Sequence, residues 1–264
     1  MERQLILRGL LAGGAGGLVA FGFARIFAEP QIQAAIDYEN GREATHSEPD
    51  LFSRTVQANV GMGVGMVLFG IAMGALFAVA YAICLGRVGR LRPRTLAMLV
   101  AVGGFLGFYF VPFLKYPANP PAIGHEETIQ ARANLYLVMV VCSLLFLLGA
   151  VALGKRLAPH FGNWNATLLA LAAYVVVIGI VMALLPSLGH LAANVQEYGR
   201  HATETPLPLT DSHGTIVSPG FDADRLYAFR LYSVGAQVLL WGVIGLVFGP
   251  LADRLLRSPA QVAV

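Results

Sequence analysis

The stretch from Ala133 to Gly154, ANLYLVMVVCSLLFLLGAVALG, contains no Asp, Glu, Lys or Arg. A helix needs about 20 apolar residues to cross the roughly 30 Å hydrocarbon core of a bilayer, and this stretch is long enough. It is apolar on every face, whereas a strand of a membrane barrel alternates apolar and polar residues. Because lipid cannot satisfy exposed backbone N–H and C=O groups, the stretch is predicted to be a transmembrane helix.

Other parts of the chain lack charged residues in the same way. They cover residues 9–24, 56–86, 95–114, 161–196 and 231–252. Pro186 and Gly189 are expected to end the helix of the 161–196 stretch early. The composition is 56% hydrophobic and 12% charged, against about 25% charged in a soluble domain. We therefore predict an all-α integral membrane protein, a single transmembrane domain over residues 1–264 built as a bundle of six helices.

The first segment allows a second interpretation. Arg3 and Arg8 precede a short apolar run, as in a secretory signal peptide. The small-residue pattern of a cleavage site is poor, and Arg25 and Glu29 follow at once, so a retained helix is favoured. Cleavage would leave five helices without changing the orientation of any of them.

Charges sort to opposite ends of the predicted helices. The two termini and the links after the second and fourth helices hold ten basic and two acidic residues, whereas the opposite ends hold eight basic and thirteen acidic residues. Cytoplasmic loops of membrane proteins carry an excess of Lys and Arg. Both termini are therefore predicted to be cytoplasmic in a bacterial inner membrane. The outer loops are expected at about residues 28–55, 115–132 and 188–230.

Glycines spaced four residues apart mark expected helix contacts, because small residues let helix backbones approach closely in lipid. The predicted packing residues are Gly13, Gly17, Gly61, Gly65, Gly70 and Gly74.

Proline and arginine follow a weak internal repeat. Pro30, Pro112 and Pro186 lie near the outer ends of the odd-numbered helices, and an Arg precedes each following helix. This pattern is compatible with three helical hairpins in parallel orientation, an arrangement used by transporters. The alternative is that any hairpin protein places Pro at helix ends.

Histidine is the most informative polar residue. Five of the six histidines and thirteen of the fifteen carboxylates lie in the predicted outer loops. Imidazole and carboxylate suit divalent metals such as Co, Ni and Zn. The spacing matches no defined metal motif, so solvated loop residues are the alternative. The predicted metal ligands are His125, His190, His201, Glu204, Asp211 and His213.

Proline at positions 117, 120 and 121 excludes regular helix after the third membrane segment. This stiff stretch is predicted to shape an entrance, and a rigid turn between helices is the alternative. The residues concerned are Lys115, Tyr116, Pro117, Asn119, Pro120 and Pro121. Elsewhere, Arg25 and Glu29 lie one helical turn apart, a spacing that allows them to pair. Snorkelling of the Arg25 side chain to the membrane interface is the simpler alternative.

Several functions are not indicated by the sequence. The chain has no GxxxxGK[ST] phosphate-binding loop, and its net charge of +3 comes without an aromatic and basic nucleic-acid motif. No carboxylate lies in the middle of a predicted helix, so a deep proton relay has little support. We expect neither an enzyme nor a nucleic-acid partner, and the lipid bilayer is the surrounding phase.

Short segments along the whole chain resemble the CbtA family of predicted bacterial cobalt transporter subunits. The most specific is the proline-rich stretch 112–121, PFLKYPANPP. The others, in the same order as in the family, are residues 8–14 (RGLLAGG), 27–30 (FAEP), 164–167 (WNAT), 202–206 (ATETP) and 230–233 (RLYS).

The resemblance implies a membrane subunit for cobalt uptake linked to cobalamin metabolism. It also implies a companion resembling CbtB, a small one-helix protein with a histidine-rich terminus. No permanently bound cofactor is expected. The transported ion is predicted to be Co²⁺, with Ni²⁺ or another divalent metal as alternatives. A non-transporting membrane scaffold for a metal-handling complex is the competing function.

Overall fold

The computed structural model describes residues 2–42, 52–89, 91–121, 123–199 and 203–257, and most of them are helical. The α-helices of these residues are α1 (Glu2–Phe27), α2 (Glu29–Arg42), α3 (Arg54–Val56), α4 (Met62–Cys84), α5 (Pro93–Gly104), α6 (Val111–Lys115), α7 (Ile129–Leu184), α8 (Ala192–Tyr198) and α9 (Ala223–Arg257). π-Helical stretches at Gln57–Gly61 and Phe105–Phe110 continue α3 into α4 and α5 into α6. The remaining elements are 3₁₀ turns at Glu126–Thr128 and Leu188–His190 and the antiparallel strands β1 (Leu209–Thr210) and β2 (Ile216–Ser218).

Within the described residues, five helical stretches are long and apolar enough to cross a membrane. This confirms the predicted all-α membrane fold. Glu2–Phe27, Pro93–Lys115 and Ala223–Arg257 are longer than their apolar runs because charged residues continue the helices, whereas Arg54–Cys84, at 31 residues, is as long as the run at 56–86. The stretches are Glu2–Phe27, Arg54–Cys84, Pro93–Lys115, Glu126–His190 and Ala223–Arg257.

The longest helix, α7, contains a break. Gly162 adopts φ 73° and ψ 162°, outside the helical region, and Pro159 precedes it. The parts on either side pack against each other: Ser143 and Tyr174 share a hydrogen bond of 2.9 Å, and Met139 and Ile178 belong to one buried cluster. This single stretch is therefore a helical hairpin. The exact number of six membrane crossings, and the three-hairpin repeat, stay predictions.

The described residues form two compact units. Unit 1 draws on 1–33, 45–105 and 228–264, and unit 2 on 34–44 and 106–227. The single transmembrane domain expected over 1–264 stays a prediction.

In unit 1, α1 and α4 run antiparallel with glycine against glycine. An added Cβ on Gly70 would lie 2.8 Å from the Cα of Gly17, and one on Gly74 would lie 2.8 Å from the Cα of Gly13. Such distances leave no room for a side chain, so the two backbones touch directly, as small residues permit in lipid. α1 is thus an integral part of unit 1.

Gly61 and Gly65 are also four residues apart, but their surroundings differ from those of the α1–α4 glycines. Among the described residues, an added Cβ on Gly65 meets nothing within 4 Å, and one on Gly61 meets only the Val56 carbonyl oxygen at 3.8 Å. Both are exposed. The close helix contact predicted for these two glycines is therefore not seen in the described part of the chain, because they lie away from the α1-facing side of the helix.

Unit 1 also joins α5 to α9 in an antiparallel contact. Arg94 Nε donates to Asp253 Oδ2 at 3.1 Å, and Arg257 Nε donates to Asp253 Oδ1 at 2.9 Å. Only 4% of Asp253 is exposed. The start of α5 and the end of α9 therefore lie together, and both belong to the Arg-rich ends that the sequence assigns to one face.

All three predicted outer loops contain regular structure. Residues 28–55 include helix α2, and 115–132 include the 3₁₀ turn Glu126–Thr128 and the start of α7 at Ile129. Residues 188–230 include α8, the β1–β2 pair and the start of α9 at Ala223. The last helix therefore begins eight residues before the apolar run at Leu231. Asp224, Arg225 and Arg230 precede that run and belong to the helix, because charged residues are good or acceptable helix formers.

Candidate functional site

The proline-rich stretch after α6 is anchored within unit 2. α6 ends at Lys115, and the prolines that follow cannot donate helical hydrogen bonds. Tyr116 is only 4% exposed, and its hydroxyl donates to the carbonyl oxygen of Pro186 at 2.9 Å. Burial raises the pKa of the Tyr116 hydroxyl above its ordinary value of 10.0. Tyr116 therefore remains a neutral donor that joins the stretch to the end of α7.

This stretch forms one wall of a cavity of about 380 Å³. We call it the aromatic cavity, since four of its lining residues are aromatic. Tyr109 and Phe113 stack with ring centroids 5.3 Å apart, and the Tyr136 hydroxyl donates to the Phe108 carbonyl oxygen at 3.3 Å. The lining comprises Tyr109, Phe113, Tyr116, Pro117, Ala118, Asn119, Ile129, Arg132, Tyr136, Leu188 and Glu204.

Opposite charges face each other in this cavity. Arg132 Nε and Glu204 Oε1 are 3.8 Å apart, and their side chains are 24% and 13% exposed. The Arg132 guanidinium lies against Gly124, which has φ 121° and no side chain to obstruct it. The distance is that of an ion pair and is longer than a hydrogen bond.

The predicted entrance residues therefore divide into two sets. Tyr116, Pro117 and Asn119 line the aromatic cavity. Lys115, Pro120 and Pro121 are not among its lining residues. Lys115 Nζ lies 5.8 Å from the Tyr116 ring centroid, Pro120 is buried and Pro121 is exposed.

His125 pairs with a residue that the sequence analysis did not select. Its Nε2 lies 3.5 Å from Glu197 Oε2, while its Nδ1 accepts from the Glu127 backbone N–H at 3.2 Å. The Nδ1 hydrogen bond assigns the proton of the neutral imidazole to Nε2. A metal ion at Nε2 would require the other neutral tautomer, with the proton on Nδ1, and therefore the loss of the hydrogen bond from Glu127.

The other predicted ligands lie apart from this pair. His190 is exposed at the end of a 3₁₀ turn. Asp211 Oδ1 accepts from the backbone N–H groups of His213 and Thr215 at 2.8 and 2.9 Å, in the exposed turn between β1 and β2. His201 lies outside the described residues. In the part of the chain that the structure describes, no group of three His, Cys, Asp or Glu side chains is placed to hold a metal ion.

The expected pairing of Arg25 with Glu29 is wrong. Arg25 Nε donates to Asn59 Oδ1 at 2.8 Å. Glu29 instead forms an ion pair with Arg54. Both side chains find their partners on the neighbouring helical stretch that begins at Arg54, because the α1–α4 contact brings that stretch alongside.

The long apolar helices identify a polytopic membrane protein. Its unit 2 contains a cavity lined by charged and aromatic residues. The chain belongs to the CbtA family, whose description reads "Probable cobalt transporter subunit (CbtA)" and whose profile matches residues 2–253. The resemblance seen in the sequence is thus confirmed over nearly the whole chain. Neither a curated protein nor a solved structure matches it.

Proposed function

We propose that this chain is the membrane subunit of a Co²⁺ uptake transporter linked to cobalamin metabolism, and that the aromatic cavity is its outer entrance. The observation that carries the proposal is that Glu204, selected as a metal ligand, lines the same cavity as Tyr116, Pro117 and Asn119, selected as entrance residues. These positions are far apart in the sequence. Family membership supports cobalt as the transported metal, because the family is described as a probable cobalt transporter subunit.

The size of the cavity suits a hydrated ion. Six waters at about 30 Å³ each occupy roughly 180 Å³, which fits within a cavity of about 380 Å³. Glu204 and the Asn119 side-chain amide provide oxygen atoms that can replace hydration water. Tyr116 and Tyr136 provide rigid walls and hydroxyl groups.

Electrostatics favours collection of cations at the loops around this entrance. Thirteen of the fifteen carboxylates lie in the predicted outer loops, and such a concentration of charge raises the local concentration of counter-ions. The His125–Glu197 pair offers one imidazole and one carboxylate, a ligand set for Co²⁺ or Ni²⁺. His190, His201, Asp211 and His213 belong to the same predicted outer region.

Uptake of radioactive cobalt by cells tests the site. Glu204→Gln, and separately His125→Ala combined with Glu197→Gln, should lower accumulation at equal amounts of protein in the membrane. Glu126→Gln is the matched control, because Glu126 is an exposed carboxylate beside His125, and it should leave uptake unchanged. Wild-type uptake by both sets of variants would overturn the assignment.

The outer histidines require their own test. His201→Ala combined with His213→Ala should reduce accumulation if these residues collect the ion. Unchanged uptake by a well-expressed double variant would remove them from the site. Labelling of single cysteines at 188–230 in intact cells checks the orientation, since the proposal requires that this region react from outside.

Purified protein in liposomes distinguishes a transporter from a scaffold. Cobalt should enter only those liposomes that contain this chain, either alone or together with its histidine-rich companion. Formation of a complex without any cobalt entry under either condition would favour the non-transporting scaffold. Competition with Ni²⁺ and Zn²⁺ in the same assay ranks the metals.

A further inference from the structure

A second cavity, in unit 1, lies beyond the glycine contact between α1 and α4. The antiparallel register that places Gly13 against Gly70 and Gly17 against Met66 continues to Arg25 beside Asn59 and Glu29 beside Arg54. From Gly13 to Glu29 the helical rise is about 24 Å. The polar contacts therefore lie at one end of an apolar span, at the level where lipid headgroups begin.

This cavity has a volume of about 320 Å³ and a polar wall. We call it the headgroup cavity. Arg54 Nε donates to Gln33 Oε1 at 3.0 Å, and its Nη2 donates to Glu29 Oε1. Asn59 accepts from Arg25 and donates through Nδ2 to the Thr55 carbonyl oxygen at 2.8 Å. The side chains in its wall are thus held in place by one another.

Its charge excludes a bare metal ion. Two guanidinium groups, of Arg25 and Arg54, face one carboxylate, of Glu29, so the wall carries a formal charge of +1. Nε of Arg25 is engaged with Asn59, and its two terminal amino groups present a planar fork that suits phosphate or carboxylate. A ligand for this cavity therefore carries an anionic group.

Glu29 adds a second requirement. The residue is only 7% exposed, and its Oε2 is buried without a hydrogen-bond partner among the described residues. A buried carboxylate oxygen that lacks a donor is costly. Because Arg54 already satisfies Oε1, an N–H group of the ligand is the complement that Oε2 needs.

We propose that the headgroup cavity binds a zwitterion that carries a phosphate and a primary ammonium, the chemistry of a phosphatidylethanolamine headgroup. The phosphate is bound by Arg25 and the ammonium by Glu29 Oε2. Arg25 and Glu29 are separated by four residues, which is about 6 Å along a helix, and a two-carbon ethanolamine unit spans a gap of this size. The site's position at the end of an apolar span favours lipid over a soluble zwitterion, because lipid headgroups lie at this level of a bilayer.

Lipid binding to the purified full chain tests this proposal. Native mass spectrometry should detect wild-type protein retaining phosphatidylethanolamine over phosphatidylcholine by about tenfold, since choline has no N–H to donate to Glu29. Phosphatidylglycerol, which has the phosphate without the ammonium, should bind with intermediate strength. Water-soluble O-phosphoethanolamine distinguishes a soluble ligand from a lipid. If it displaces phosphatidylethanolamine at equal concentration, the site binds a soluble ligand. If it does not, the ligand is the lipid.

Two variants assign the contacts. Glu29→Gln should abolish the preference for phosphatidylethanolamine while leaving phosphatidylglycerol retention intact. Arg25→Gln should lower retention of both lipids. Arg3→Gln, which removes an exposed Arg at the other end of α1, is the matched control and should behave as wild type.

The Arg25 variant keeps the proposal testable even if loss of the Glu29–Arg54 ion pair impairs folding, because Arg25 is hydrogen-bonded only to Asn59 among the described residues. Equal retention of ethanolamine and choline lipids by wild-type protein would overturn the proposal. So would wild-type selectivity in folded Glu29→Gln and Arg25→Gln proteins. None of these results depends on cobalt transport, so they are separate from the tests of the proposed function.

Discussion

The backbones of Gly17 and Gly70 touch: a Cβ added to Gly70 would lie 2.8 Å from the Cα of Gly17. The atom it would meet belongs to a backbone, which cannot rotate away as a flexible side chain does. The α1–α4 contact therefore depends on the absence of side chains at these positions.

Gly70→Ala is expected to destabilise the protein by about 1–3 kcal/mol, the usual cost of overpacking a filled contact. Thermal unfolding in detergent, followed by size-exclusion chromatography, measures the change. Gly65→Ala is the matched control: its Cβ meets no described atom within 4 Å, and Ala favours helix over Gly. Equal melting temperatures for the two variants would contradict the close contact.

Asp253 joins two arginines, and Asp253→Asn should destabilise the protein by about 1.5 kcal/mol, the low end for a hydrogen bond to a charged group. The low end applies because the Arg94 and Arg257 side chains are 65% and 78% exposed, and solvent screens their charges. Asp224→Asn, an exposed aspartate on the same helix, should change stability by only a few tenths of a kcal/mol. A larger loss for Asp224→Asn than for Asp253→Asn would refute this ranking.

Gly162→Ala should cost about 1–3 kcal/mol, because φ 73° with ψ 162° is a conformation that residues with a Cβ rarely adopt. Gly179→Ala lies on the same long helix, where an added Cβ meets no described atom within 4 Å. It should stabilise the protein by about 0.5–1 kcal/mol. Melting temperatures of the two variants should therefore move in opposite directions. A neutral Gly162→Ala would mean that the hairpin does not depend on this conformation.

Tyr116→Phe removes the donor to the Pro186 carbonyl oxygen and should cost about 1 kcal/mol, with lower cobalt uptake because the entrance wall loosens. Burial raises the pKa of Tyr116. The folded state therefore holds the phenolic proton more tightly than the unfolded state. The contribution of the Tyr116 hydroxyl to stability is complete below pH 10.0, the ordinary pKa. This contribution is lost as the pH rises through the higher pKa of the folded state.

Unfolding measured between pH 7 and pH 11 should accordingly show a smaller alkaline loss of stability for Tyr116→Phe than for wild type. Identical pH profiles would show that the hydroxyl is not held as the structure places it.

The sequence predicted the membrane helices well because the property that defines them, apolar composition over about 20 residues, is local. It underestimated the length of the last helix, since the charged residues at the start of α9 are also helical. It also found the packing glycines of α1 and α4 by spacing alone. Spacing could not decide which glycines face a neighbour, and Gly61 and Gly65 face none of the described helices closely.

The candidate site was less predictable, because its residues meet only through tertiary structure. His125 is a predicted ligand by residue type alone, and only the structure shows that its side chain contacts Glu197. Arg132 is not among the predicted site residues, yet it faces Glu204 in the aromatic cavity. The aromatic residues clustered at 108–116 are a sequence signal for that cavity, because Tyr109, Phe113 and Tyr116 line it.

The α1–α4 contact also bears on how the protein is made. α1 and α4 are close in the sequence, so their backbones can dock in the membrane before α5 to α9 have been translated. The α5–α9 contact forms later, because Asp253 is synthesised 159 residues after Arg94. Unit 1 therefore requires α9 for its completion, and a chain that stops before α9 leaves Arg94 and the face of α5 around it uncovered.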